Sequence, residues 1–173
     1  MTFRKIVVAT DGSVNANRAV GLAGELGKQN GAQVFVLHTV LEGPVPDELL
    51  RWARVEHLVE RESGPDLTSL PGYGNLGVIG PRQAKVSYDI RTQLGRAILD
   101  YAVARCREAG APTVTEVIEE GDAARAVAAL VEREGADLVV AGTRGLGTVE
   151  AMIMGSTSHK LLAQHACPVL LVP

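Results

Sequence analysis

Apolar positions along the chain fall into two alternating kinds of run. Ile6-Val7-Val8-Ala9-Thr10 is short, apolar and β-branched, and it stops at Asp11-Gly12-Ser13. Such a run bounded by turn residues predicts a strand buried on both faces. Ser13 can cap a following helix, since its hydroxyl can accept from an orphan amide of the first turn. Ala16, Ala19, Val20, Ala23 and Leu26 then recur at helical spacing until Asn30-Gly31 ends the run. Gln33 to Val40, with Val-Phe-Val-Leu-His-Thr-Val, predicts the second strand. Strand, helix and strand joined by short links make a βαβ start, which implies a parallel sheet covered on both faces.

The same grammar returns downstream. Leu94, Ala97, Ile98, Tyr101, Ala102 and Cys106 share one helical stripe that closes near Gly110. Thr113 to Ile118 predicts a strand, and Gly121-Asp122 opens a helix with Ala124, Val127, Ala128 and Val131 on one face. Ala136 to Ala141 reads as a buried strand ending in Gly142, Ser156 to Gln164 as a helix, and Pro168 to Val172 as a last strand. The pattern therefore predicts an open five-stranded parallel sheet with helices on both faces, a Rossmann-like α/β fold. In such sheets ligands sit beyond the carboxyl ends of the strands, where strand order reverses. That rule points to Asp11, Val40 and Gly142.

Residues 42–92 break the rhythm as a long insertion after the second strand. Asp47 to Glu62 carries eight charges with Leu49, Trp52, Val55 and Val59 along one side, which predicts a short amphipathic helix. Gly64 to Pro81 holds five Gly and three Pro in eighteen positions, the composition of a loop. Loops of that length are uncommon in compact domains unless they are functional or disordered.

Composition narrows the class. At 173 residues the chain is expected to form one domain over 1–173. Seventeen Lys+Arg against twenty Asp+Glu give −3, without the basic excess of a nucleic-acid binder. Six aromatic residues leave few stacking platforms for bases. Cys106 and Cys167 make neither a disulfide framework nor a clustered metal site. No apolar stretch reaches eighteen residues, and the start reads as too short for a signal peptide. A cytoplasmic protein without membrane insertion is expected.

Chemistry concentrates in Gly142-Thr-Arg-Gly145-Leu-Gly147-Thr-Val-Glu-Ala-Met-Ile-Met-Gly155-Ser156-Thr157-Ser158. The segment runs from the end of a buried strand to the start of a helix. Glycines let a ligand approach the backbone closely. Free amides at Gly155, Ser156 and Thr157 would point out of the helix start, where partial positive charge favours an anion. The hydroxyls of Ser156 and Thr157 add donors for phosphate oxygens. The segment reads as a phosphate cradle, but not as either familiar one. Gly27-Lys28 is followed by Gln29 and has Leu22 where a Walker loop needs its first glycine. Gly145-x-Gly147-x-x-Glu150 lacks the third glycine of a dinucleotide fingerprint.

The spacing Gly142-x2-Gly145-x9-Gly155-Ser156 resembles the signature of ATP-binding members of the universal stress protein family. Val-Val-Ala-Thr-Asp-Gly-Ser near the start, Leu37-His38-Thr39-Val40 and Cys167-Pro168-Val-Leu-Leu-Val agree with it. The resemblance covers about residues 3–41 and 93–173. It implies an adenine nucleotide alpha hydrolase-like fold with adenine against Ala9, Thr10 and the main chain of Val40. Asp11 matches the carboxylate near the ribose and triphosphate. Gly142, Arg144, Gly145, Gly155, Ser156 and Thr157 match the phosphate-binding positions, above Ala141 on the floor. ATP is the implied cofactor, with Mg²⁺ held through its phosphates. A homodimer through Pro168 to Val172 is implied too. The resemblance says nothing of residues 42–92, for which an unknown protein partner is a separate expectation. Two departures stand out: Glu150 lies where relatives often carry a basic residue, and the 42–92 connection exceeds the family's usual length.

Plainer readings compete at single positions. Asp11 suits a helix cap as well as a ligand contact, and Arg144 suits a solvated surface equally well. His38 fits a packed, hydrogen-bonded core residue. His159 and His165 are six apart and do not share a face as an i, i+4 metal pair would. Both cysteines fit inert core positions, and no catalytic residue is assigned. The expected function is that of an ATP-binding regulatory stress-response protein whose conformation or interactions follow nucleotide occupancy. A slow ATP hydrolase or phosphotransferase, and a dimeric scaffold with incidental nucleotide binding, are the alternatives.

Overall fold

The computed structural model describes residues 2–40, 88–146, 154–164 and 167–173. The elements are β1 (Lys5–Thr10), α1 (Val14–Asn30), β2 (Gln33–Val40), α2 (Tyr88–Glu108), β3 (Thr113–Glu120), α3 (Ala123–Glu134), β4 (Leu138–Gly142), α4 (Ser156–Gln164) and β5 (Val169–Val172). The helix expected within 47–62 and the loop 64–81 lie outside the described residues.

Local sequence accounts for the helix ends. Ser13 caps α1 by accepting from the Ala16 amide at 3.2 Å, and Gly31 ends it at φ 63°. That left-handed geometry strains any residue with a side chain. Asp122 caps α3 by accepting from the Arg125 amide. Each capping bond of this kind is worth about 1 kcal/mol.

All five strands run parallel in the order β3-β2-β1-β4-β5, so β1 is central and the connections leave it in opposite directions. Strand alternation divides the core in two. Ile6, Val8, Val34, Val36, Leu138 and Val140 face α1 and α2, whereas Val7, Phe35, Leu37, Val139 and Ala141 face α3 and α4. Burying one such Val or Leu side chain stabilises the fold by about 1.5–3 kcal/mol. Two helices on each face fit the near-continuous apolar runs of β1, β2 and β4.

The α2 stripe differs from its expected form. Leu94, Ile98, Leu99, Ala102, Val103 and Cys106 are buried, but Tyr101 is 50% exposed. Leu99 and Val103 fill the face that packs on α1 and the sheet, so the tyrosine turns outward beneath the Arg105 guanidinium, 6.0 Å from its ring centre. Strand β3 is half-exposed along its length, as befits an edge. Among the described residues no helix is long and apolar enough to cross a membrane.

Candidate functional site

The reversal of strand order lies between β1 and β4, and both strands end there in turns tied to each other. After β1, Gly12 takes φ 84° and donates its amide to Thr10 Oγ1, while its carbonyl accepts from Asn17 Nδ2. This turn lifts Asp11 above the sheet edge. The Asp11 carboxylate then accepts from the Ser13 amide at 3.0 Å and, through its other oxygen, from the Leu146 amide at 2.9 Å. One side chain thus joins the β1 turn to the segment after β4, 135 positions later. Ser13 adds a second tie by donating to the Arg144 carbonyl at 3.3 Å. The cap of α1 is thus Ser13 and not Asp11, whose carboxylate instead braces the turn before the helix and the segment after β4.

The β4 end is shaped by two glycines. At Gly142 a Cβ would stand 2.9 Å from the Ala16 nitrogen, so α1 passes too close for any side chain. At Gly145 a Cβ would overlap the Asp11 carboxylate. Beyond the segment, Gly155 donates its amide to the Thr143 carbonyl at 2.8 Å and its own carbonyl accepts the first bond of α4, from His159. That corrects the expectation of three free amides: Gly155 uses its own. The amides of Ser156 and Thr157 begin α4 behind a residue that has no side chain to cap them. They therefore bear the positive end of the helix dipole.

These elements enclose a cavity of about 280 Å³. Its lining includes Ala9, Thr10, Asp11, Ala141, Gly142, Arg144, Gly145, Gly155, Ser156 and Thr157. The structure thus brings together ten of the eleven positions singled out in the sequence. Val40 is the exception: its side chain is buried and it is not part of the lining. From β2, Leu37 and Thr39 line the cavity, because alternate residues share a face and the Val40 side chain points away from it; the role expected of the Val40 main chain is a separate matter. Ala16, Ala123, Leu146 and Ser158 also border the space and were not foreseen. Strand alternation was the signal for Thr39; Ala16, Ala123 and Ser158 depend on helix placement, and Leu146 on the tie of its amide to Asp11, neither of which a local pattern encodes.

The cavity has two unlike ends. Leu37, Ala9 and Ala123 make one side apolar, with the Thr39 hydroxyl among them. The other side carries Arg144, which is exposed, and the first turn of α4. Lys160, on the same helix, is paired with Asp122, and that contact holds the Asp122 carboxyl below its usual range. Glu150 lies outside the described residues, as does most of 42–92.

His38 behaves as a packed residue. It is 2% exposed, its Nδ1 bonds the Thr10 carbonyl at 2.9 Å, and burial pushes its pKa down. The carbonyl can only accept, so Nδ1 carries the proton. Among the described residues no group of three or more His, Cys, Asp or Glu is placed to hold a metal ion. Cys106 is buried, and desolvation raises its thiol pKa to about 11. Cys167 is only half-buried, again with a raised thiol pKa. Neither has the depressed pKa of a reactive thiol.

The architecture defines a doubly wound α/β protein with a ligand-sized cavity at its topological switch point. The Universal stress protein family model matches residues 2–173, and the chain belongs to that family. A Thermus aquaticus protein named "Universal stress protein in QAH/OAS sulfhydrylase 3'region" is 32% identical over 170 residues, covering 98% of each chain. Universal stress protein UspA from Lactobacillus plantarum shares the fold with a TM-score of 0.68 at 16% identity, covering 100% of this chain and 99% of that one. The universal stress protein from Archaeoglobus fulgidus in complex with dAMP superposes at 0.62 and 19% identity, with 100% of both chains covered. A universal stress protein in complex with cAMP also superposes at 0.62, at 22% identity, covering 100% and 98%.

Proposed function

We propose that this protein binds an adenine nucleotide in the switch-point cavity and that occupancy regulates its interactions in a stress response. The phosphate lies at the start of α4 and beside Arg144, and the base at the Leu37–Thr39 end. The observation that carries this reading is the glycine opening of α4. Ser156 and Thr157 open the helix at the cavity behind a residue without a capping side chain, and both hydroxyl residues and Arg144 belong to the lining. An anion completes such a helix start. The dAMP and cAMP complexes of proteins sharing this fold support an adenine nucleotide as the ligand class.

The residues present fit ATP with Mg²⁺ on one condition. Asp11 and Arg144 are the charged side chains among the described lining, and they cancel. A triphosphate therefore has to bring its own countercharge, and Mg²⁺ carried on its phosphates supplies it. Asp11 accepts from two amides and so serves as a strut between the β1 turn and the segment after β4. Binding to the folded state at one hundred times the dissociation constant adds about 2.7 kcal/mol of stability. Thermal shifts with AMP, ADP, ATP and ATP–Mg²⁺, together with mass spectrometry of co-purified nucleotide, test the assignment. A shift with at least one is expected; no shift with any and no bound nucleotide would overturn it.

We further propose a homodimer through β5, which among the described residues pairs with β4 on one side alone and exposes Leu170. Two free thiols favour a reducing, cytoplasmic setting.

A further inference from the structure

Ser158 is the third residue of α4 and, although it borders the cavity, it is 4% exposed. Its hydroxyl lies 2.7 Å from the Gly142 carbonyl oxygen and 3.2 Å from that of Thr143. A hydroxyl has one hydrogen, and these two carbonyls share it. Ser158 therefore has no hydrogen to offer a ligand anion, unlike its neighbours Ser156 and Thr157.

The carbonyls it grips are held from other sides. Thr143 donates its amide to the Val172 carbonyl of β5 at 2.8 Å, and its side-chain hydroxyl accepts from Asn15 Nδ2 of α1 at 3.2 Å. Its carbonyl also receives the Gly155 amide at 2.8 Å. The end of β4 is thus fixed to β5 and α1, and α4 docks on it at two points. Leu161 in the core and Lys160 paired with Asp122 hold α4 further along, but at its first turn the Gly155 bond alone would be a single hydrogen-bonded tie to β4. The Ser158 bond, three residues further on, sets the direction of the first turn. Between these two points lie the Ser156 and Thr157 amides.

We infer that Ser158 is a positioning residue of the anion end, whose hydroxyl clamps the start of α4 onto β4 and so aims the Ser156 and Thr157 amides at the ligand phosphate. This role rests on the nucleotide reading above.

Ser158→Ala separates the clamp from general stability when AMP and adenosine are titrated in parallel by calorimetry. Adenosine lacks the phosphate, so loss of the clamp weakens AMP about tenfold and adenosine less than about twofold, the scale of one hydrogen bond. Amide exchange of the ligand-free proteins supplies an independent reading. The Gly155 amide exchanges about tenfold faster in the variant, while amides in the middle of α1 are unchanged. Equal losses for both ligands, or an unaltered Gly155 amide, overturn the clamp while leaving the nucleotide reading in place. Should the wild type bind ATP–Mg²⁺ or ADP but not AMP, that nucleotide replaces AMP in the comparison with adenosine and the same ratio decides; wild-type protein that binds no adenine nucleotide overturns the nucleotide reading, and the proposed role falls with it.

Discussion

Gly145 abuts Asp11 so closely that a methyl group on its α-carbon would occupy the space of the carboxylate. The carboxylate cannot simply swing aside, because it also holds the Leu146 amide. Gly145→Ala is therefore expected to push the segment after β4 away from the β1 turn. Nucleotide affinity should fall at least about tenfold, with a stability loss of about 1–3 kcal/mol from overpacking. Calorimetry and urea unfolding of the same preparation check both figures.

Asp11→Asn tests the strut from the other side. An asparagine side chain offers one acceptor oxygen where the carboxylate offers two, and its NH₂ then faces an amide donor. One of the Ser13 and Leu146 amides loses its partner, at a cost of about 1–3 kcal/mol. A urea midpoint equal to that of the wild type would show that the carboxylate bonds are replaceable by water.

Much of this was legible in the chain, and the misses have physical causes. Ser13, Gly31 and Asp122 mark helix ends through contacts within a few residues, so local sequence suffices. Paired glycines at 142 and 145 mark close approach, although what approaches them is not encoded nearby. Thr39 follows from strand alternation, which turns its side chain to the cavity with Leu37, whereas the role expected of Val40 is one of its main chain, on which side-chain direction does not bear. Tyr101 matches the helical period, yet Leu99 and Val103 took the buried face. The Gly155 amide finds its acceptor on Thr143, and only tertiary docking brings the two together.

His38 makes stability depend on pH. Burial lowers its pKa below the ordinary 6.5, so the folded state holds the neutral ring while the unfolded chain takes up a proton more readily. The stabilisation is complete above about pH 6.5 and is lost as pH falls through that value toward the depressed folded one. His38→Asn keeps a donor for the Thr10 carbonyl but cannot titrate. Its unfolding free energy should vary less between pH 7.5 and 5 than that of the wild type, and parallel slopes in urea series would refute the assignment.

Gly24 marks the closest approach of α1 and α2. A Cβ there would lie 2.6 Å from both the Cys106 carbonyl oxygen and the Ala109 methyl. Alanine is ordinarily the better helix former by about 1 kcal/mol. Here the steric cost should win, because one neighbour is backbone and cannot yield without moving α2. Gly24→Ala is expected to destabilise the protein by about 1–3 kcal/mol; a stabilised variant would mean that the helices part freely.

Leu170 is the residue through which the proposed dimer is most directly tested. It is 36% exposed on β5, paired in register with Val140 on the inner side and with no strand beyond it among the described residues. An open edge with an exposed leucine invites a second copy, and a two-fold axis would lay the two β5 strands antiparallel. Leu170→Lys places a charge at that contact and removes little from the monomer core, since Leu170 belongs to neither buried core cluster. Sedimentation should show wild-type protein as a dimer and the variant as a monomer, with thermal unfolding of the variant two-state and its nucleotide-induced shift retained. A dimer that survives the substitution would move the interface away from β5, whereas loss of the nucleotide shift along with the dimer would mean that the cavity requires the partner subunit.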